Sequence, residues 1–213
     1  MEFIDPKLND YVEAHSSGES DLLKRIQRET NLEVLQPRML SGHLQGRMLS
    51  AISQMIRPDY ILEIGTFTGY SALCLAEGLA DNGRLITLEK NEELEARILA
   101  YFEQSNKHEK LKLLIGDALQ IIPGLEDGLD LVFIDADKGN YLNYYKMVIE
   151  KMNSNGFILA DNVLWSGKVI EKAEIEDIDT KALQSFNKFV QADERVENVL
   201  LPVRDGVMLI RKK

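Results

Sequence analysis

The 213-residue sequence has a single cysteine, Cys74, so no disulfide can close within the chain. Three histidines are present in all, and no His/Cys cluster competes for zinc. No apolar run approaches the roughly 18 residues a membrane helix needs, so no span is expected. Basic side chains are outnumbered, 25 Lys and Arg against 35 Asp and Glu, a net charge of -10. That balance disfavours passive attraction to nucleic acid or to an anionic membrane. The opening stretch Met1-Glu2-Phe3-Ile4-Asp5 carries neither a basic region nor an apolar signal core, and a cytoplasmic location is expected. In Ser71-Ala72-Leu73-Cys74-Leu75-Ala76 the cysteine reads as a small buried residue of a packed helix with no catalytic role.

What is present is ordinary for a soluble enzyme: 45% hydrophobic and 28% charged residues in a length that suits one α/β domain. Residues 1–57 read as a helical cap. Apolar residues at helical spacing mark Asp5 to Ser16 (Leu8, Tyr11, Val12) and Ser20 to Glu33 (Leu22, Leu23, Ile26), each opened by a capping residue. A Pro/Gly-punctuated loop, Gln36 to Gly42, leads into a helix from Leu44 to Ile56 that ends before Pro58.

Residues 58–213 read as the core. Short apolar runs (Ile61 to Ile64, Arg84 to Leu88, Leu111 to Ile115, Leu129 to Ile134, Gly156 to Ala160) alternate with helical patterns at Tyr70 to Ala80, Glu92 to Ser105, a short turn after Asp117, and Asn140 to Met152. Such alternation predicts βαβ units and a parallel sheet. After a helix at Thr180 to Gln191, the runs Val196 to Val203 and Val207 to Arg211 are joined by Arg204-Asp205-Gly206, a hairpin signal that reverses the last strand. The expected fold is Rossmann-like: a three-layer α/β sandwich around a mostly parallel seven-stranded sheet, with an antiparallel strand from the C-terminal hairpin and N-terminal helices.

Ligands of such sheets bind at the carboxyl ends of the strands. Every end here carries a carboxylate. The first run breaks into Glu63-Ile64-Gly65-Thr66-Phe67-Thr68-Gly69-Tyr70-Ser71, where glycines allow a sharp exit and bare backbone can meet an anionic group at the helix start. Three residues separate the two glycines, which departs from the G-x-G-x-x-G of a dinucleotide cradle and counts against a pyrophosphate. Glu89, a little over twenty residues on, stands where an acid accepts from ribose hydroxyls. Gly116-Asp117-Ala118 could face an adenine amino group. Taken singly, Glu89 and Asp117 are equally well explained as helix caps.

Phe133-Ile134-Asp135-Ala136-Asp137-Lys138 and Leu159-Ala160-Asp161-Asn162 place two carboxylates and an amide oxygen at neighbouring strand ends, a hard all-oxygen set suited to Mg²⁺. Lys138, three residues after Asp135, is placed to face the same pocket if a helix begins there. Beside a divalent cation a lysine amine loses its proton more readily and becomes a usable general base.

The glycine loop, the Asp135–Lys138 run and Asp161-Asn162 together resemble the cation-dependent O-methyltransferases of the catechol and caffeoyl-CoA type. The resemblance covers nearly the whole chain, from the Met39 loop to the Asp205-Gly206 hairpin. It implies an S-adenosylmethionine site in which Glu63, Gly65 and Ser71 hold the methionine end, Glu89 the ribose, and Asp117 and Ala118 lie beside the adenine. Met39 and Ser41 match the loop that closes over the sulfonium. Asp135, Asp161 and Asn162 would bind a divalent cation, with Asp135 also on the cofactor side. Lys138 would be the base, and Trp165 resembles the aromatic residue near the acceptor. A small aromatic hydroxyl substrate and a homodimer are implied as well.

Where the animal catechol branch carries His-Trp this chain has Ala136 and Asp137, closer to the caffeoyl-CoA and bacterial branch. The stretch Ser41-Gly42-His43-Leu44-Gln45-Gly46 is not the Ser-Pro-Glu common in plant enzymes. An alternative within the family is methylation of a hydroxylated tRNA uridine, which would need a basic cluster drawn from Arg38, Arg47, Lys168 and Lys172. An NAD-dependent dehydrogenase shares the strand–loop–helix and Glu89, and a non-catalytic adenosine-binding module shares the cradle. Neither accounts for the lysine beside three metal-type ligands.

Overall fold

The computed structural model describes residues 5–213, except for the side chain of Pro6. Residues 1–4 of the opening stretch lie outside the described residues. Two compact units are formed, one within Ile4–Asp117 and one within Ala118–Lys213. The strand order of the seven-stranded sheet is β3-β2-β1-β4-β5-β7-β6.

The first unit begins with α1 (Pro6–Ala14), α2 (Asp21–Glu33) and α3 (Gly42–Ile56). Helix α1 has Asp5 as its cap, whose carboxylate accepts from the Lys7 amide at 2.8 Å, and Pro6 in the first turn, where a missing N–H costs nothing. In α2 the Ser20 hydroxyl accepts from Leu23, and Leu23, Ile26 and Thr30 form the buried stripe. Then come β1 (Tyr60–Ile64), α4 (Tyr70–Ala76), β2 (Arg84–Glu89), α5 (Glu95–Phe102) and β3 (Leu111–Ile115). These strands pair in parallel, Leu62 opposite Ile86 and Leu88 opposite Leu114. The helix expected to reach Ala80 stops at Ala76, because the amides of Gly78 and Leu79 turn back three residues to Leu75 and Ala76 and tighten the last turn. Gly78 is required there: a Cβ would fall 2.2 Å from the backbone carbon of Ser53 on α3.

The second unit holds α6 (Ala118–Ile121), β4 (Leu129–Ile134), α7 (Tyr141–Lys151), β5 (Met152–Asp161), α8 (Ile178–Ala192), β6 (Val196–Leu201) and β7 (Val207–Lys212). Its core is aromatic, with Tyr141 and Tyr145 edge-on to Phe186 at 5.7 and 6.1 Å. Strand β5 starts four residues before the expected Gly156. Leu129 faces Met152 but Leu131 faces Phe157, so residues 153–156 are absorbed in a register shift, with Asn155 left-handed (φ 64°). A local sequence of Asn-Ser-Asn-Gly reads as a turn, whereas the sheet carries it as an irregular strand. Strand β7 is antiparallel to both β5 and β6 and lies between them, so the last strand in the chain is the single reversed one and does not form the edge.

Candidate active site

In the first unit the site grows from the end of β1. All five β1 residues are buried, including Glu63 at 0% exposure. A buried carboxylate forfeits its hydration and needs donors. Glu63 Oε2 accepts from the Thr87 hydroxyl at 2.5 Å, and Thr87 Oγ1 lies 2.5 Å from Thr66 Oγ1. The chain then leaves the strand through three left-handed residues, Gly65 (φ 100°), Phe67 (φ 50°) and Gly69 (φ 84°). The amides of Gly65 and Thr66 both donate to the Leu88 carbonyl of β2, and Gly69 closes a turn onto Thr66 at 2.9 Å. For Phe67 the left-handed conformation costs about 1–2 kcal/mol. That strain is offset by Glu89, whose Oε2 accepts from the Phe67 amide at 2.7 Å.

Glu89 also accepts from the Asn91 amide at 2.8 Å. The helical turn that follows is capped by Asn91, whose side chain accepts from the Glu93 amide at 3.1 Å, and Glu89 is instead a carboxylate clamped to the glycine turn. A carboxylate has about four acceptor sites, so two amide bonds leave capacity for ligand hydroxyls. The Gly116 amide donates to the Glu89 carbonyl at 2.8 Å, which brings the end of β3 to the end of β2. Asp117 follows, exposed, and Ala118, buried, opens α6. Ser71 is buried in the first turn of α4. Met39 is 53% exposed on a 3₁₀ turn, and Ser41 is buried at the start of α3. A buried acid, an adjacent glycine turn and a second acid tied to that turn fit a ligand with an ammonium end and a ribose.

In the second unit Asp135 follows β4, and the chain turns through a 3₁₀ segment, Lys138–Asn140, into α7. The short segment folds Lys138 back beside Asp135. The ammonium, 9% exposed, donates to Asp135 Oδ1 at 3.0 Å, to Asn162 Oδ1 at 2.8 Å and to Tyr141 Oη at 2.6 Å. Asn162 is left-handed (φ 57°), a conformation asparagine tolerates, and it directly follows Asp161, which is 2% exposed at the end of β5. Tyr141 donates to the Asp161 carbonyl at 3.0 Å. Burial, then the charges of Asp135 and Asp161, push its phenol well above the ordinary tyrosine range, so it stays a neutral hydroxyl.

Three side-chain oxygens, of Asp135, Asn162 and Tyr141, thus already converge on one positive charge, the first two of them metal-ligand types. That donor set, with the Asp161 carboxylate next in the chain to Asn162, fits a hard divalent cation. Among the described residues no group of three His, Cys, Asp or Glu side chains forms a metal cluster, and here the third donor is an amide. Trp165 is half-buried, with its ring centre 6.0 Å from the Lys138 nitrogen.

Tyr141 and Thr87 are the residues that motif reading passed over. Tyr141 stands three residues after Lys138, a spacing that puts both on one side of a helical turn and could have flagged it. Thr87 offered no such signal, since only the β1–β2 register brings it to Glu63. The basic residues named for RNA do not all stand free: Arg47 makes a two-pronged bond to Glu77 at 2.8 and 2.9 Å, and Lys168 lies 3.4 Å from Asp177. Cys74 is fully buried, and burial pushes its thiol up to about 12, in keeping with a packing role.

A family model described as O-methyltransferase matches residues 13–213. Caffeoyl-CoA O-methyltransferase 1 of Eucalyptus globulus is 35% identical over 178 residues, 79% of this chain and 72% of that protein. Among solved structures, the SAH-bound methyltransferase of Podospora anserina gives a TM-score of 0.89 at 32% identity, covering 97% of this chain and 94% of that one. An O-methyltransferase from Bacillus cereus in complex with SAH gives 0.90 at 28% identity, with 97% of each chain covered. With the strand order, the glycine turn and the Asp135–Lys138–Asn162 cluster in place, the chain belongs to the O-methyltransferase family, in its caffeoyl-CoA type, and is an S-adenosylmethionine-dependent O-methyltransferase of Rossmann-like fold.

Proposed function

We propose that the chain methylates one hydroxyl of a vicinal aromatic diol, of catechol or caffeoyl type, and does so with a divalent cation, Mg²⁺ or a similar ion. The observation that carries this reading is the Lys138 ammonium in direct contact with Asp135 Oδ1, Asn162 Oδ1 and Tyr141 Oη. A candidate base and two candidate metal ligands share one cluster.

When bound, S-adenosylmethionine supplies an electrophilic methyl on a sulfonium, and the cation supplies Lewis acidity at the acceptor oxygens. Glu63, Gly65 and Ser71 hold the methionine end, and Glu89 holds the ribose. Asp117 and Ala118 flank the adenine, and Met39 and Ser41 cover the sulfonium. Asp135, Asp161 and Asn162 hold the cation, with Asp135 serving the cofactor side too. The Lys138 ammonium gives a proton to solvent once its charge is no longer needed beside Asp135, and the free amine then takes the acceptor's hydroxyl proton. Tyr141, a neutral hydroxyl anchored to the Asp161 carbonyl, holds the amine in place. Trp165 offers an aromatic face to the acceptor ring.

One family model runs through residues 13–213, which supports treating the chain as one methyltransferase domain with a helical cap. No helix among the described residues is long and apolar enough to cross a membrane. The family resemblance extends the reading to a cytoplasmic homodimer. Labelled S-adenosylmethionine offered with vicinal-diol phenols, acyl-CoA phenols and bulk tRNA tests the acceptor class. Transfer to the diols is expected, and transfer to tRNA alone would overturn the reading.

A further inference from the structure

Thr87 on β2 stands directly opposite Glu63 on β1, and both side chains are 0% exposed. Thr87 Oγ1 donates to Glu63 Oε2 and lies equally close, 2.5 Å, to Thr66 Oγ1. A threonine hydroxyl has one proton to give. With the Thr87 proton committed to the carboxylate, Thr66 must be the donor to Thr87, so the chain runs in one direction, Thr66 to Thr87 to Glu63.

Thr66 belongs to the glycine turn itself, between Gly65 and Phe67. Two residues on, Thr68 accepts at 3.1 Å from Thr30 of α2, also fully buried. Besides its backbone bonds, the turn is therefore tied by hydroxyls from beneath to the Glu63 carboxylate and from the side to α2. Packing does not demand this arrangement. Valine fills nearly the volume of threonine, and a fully buried β2 position flanked by Ile86 and Leu88 would accept it. What valine lacks is a donor for a carboxylate that has lost its water and an acceptor for Thr66.

We propose that Thr87 is a positioning residue for cofactor binding. By holding one oxygen of Glu63 against β2 it sets the plane of the carboxylate, and so the direction from which an ammonium group can approach. The inference rests on the reading that Glu63 receives the amino group at the methionine end of S-adenosylmethionine. It adds a residue that never touches the ligand.

Calorimetric binding of two ligands to the purified protein tests it: SAH, which carries the amino group, and methylthioadenosine, which lacks the whole amino-acid end. Thr87→Val should weaken SAH about 10- to 100-fold, the span expected for losing a hydrogen bond to a charged group. The same variant should leave methylthioadenosine within about twofold, and Thr87→Ser should bring SAH back to within about threefold. Unchanged SAH affinity in Thr87→Val, or equal loss of both ligands, would overturn the proposal. Should Thr87→Val fail to fold, Thr66→Val decides. That variant removes only the outer donor and is expected to weaken SAH about threefold to tenfold, with methylthioadenosine unmoved; no difference between the ligands would overturn the proposal. If the unmodified protein binds neither ligand, the cofactor reading beneath the proposal fails and takes the proposal with it.

Discussion

The two units handle charge in opposite ways. In Ile4–Asp117, Glu63 takes a hydroxyl from Thr87, and Glu89 takes backbone amides from Phe67 and Asn91. In Ala118–Lys213, Asp135 takes a full positive charge from Lys138. Glu89, held by two backbone amides, has acceptor capacity left, so a hydroxyl-bearing ligand can dock with little rearrangement. A carboxylate already paired with an ammonium must change partner before it can hold a metal. On the proposed reading the first unit is built in advance for its ligand, and the second is a balanced set that would have to reorganise to admit a cation.

The largest effect should come from the balanced set. Replacing Lys138 by alanine removes the proposed base and is expected to lower kcat about a hundredfold to ten-thousandfold while leaving S-adenosylmethionine affinity within a few-fold. Single-turnover rates beside cofactor Kd measure this, and an unchanged rate would remove Lys138 from the chemistry. Next, Glu89→Ala should weaken S-adenosylmethionine about 10- to 100-fold with a smaller change in acceptor KM. If Glu89→Ala instead shifts acceptor KM and spares the cofactor, the division of labour between the units is wrong.

The smallest effect is a control on self-paired charge away from the site. Asp193 is held by Arg195, with Nη2 to Oδ2 at 2.7 Å, and that hydrogen-bonded partner pulls its carboxyl well below the usual carboxylate range. A depressed folded pKa contributes stability above the unfolded value of about 3.9 and loses it as pH falls through and below that value. Asp193→Asn should lower Tm by about 2–4 °C at neutral pH and by progressively less in acid, with activity untouched. A constant difference across pH would show that the pair acts by packing and not by charge.

How much of this was legible in advance depends on whether the cause is local. The strands β3 and β4 fall where Leu111 to Ile115 and Leu129 to Ile134 were read, because unbroken apolar runs bounded by turns are a local signal. The hairpin at Asp205-Gly206 announced a reversed strand, but not that β7 would lie between β5 and β6. That depends on which edge the returning chain meets. Asp135, Lys138 and Asn162 were grouped from strand-end logic, and the structure joins them through one ammonium. The Thr66–Thr87–Glu63 chain was invisible, since it spans 21 and 24 residues and exists only through the β1–β2 register. Arg47 failed as a free surface cation for the same reason: its partner Glu77 is 30 residues away.

Methyl transfer to a vicinal aromatic diol, assayed with saturating S-adenosylmethionine in EDTA and again after Mg²⁺ is restored, tests the central claim most directly. Turnover should vanish in chelator and return with the metal, and Asp161→Ala should fail to recover. Full turnover in EDTA, or a metal response intact in Asp161→Ala, would contradict a cation held by Asp135, Asp161 and Asn162.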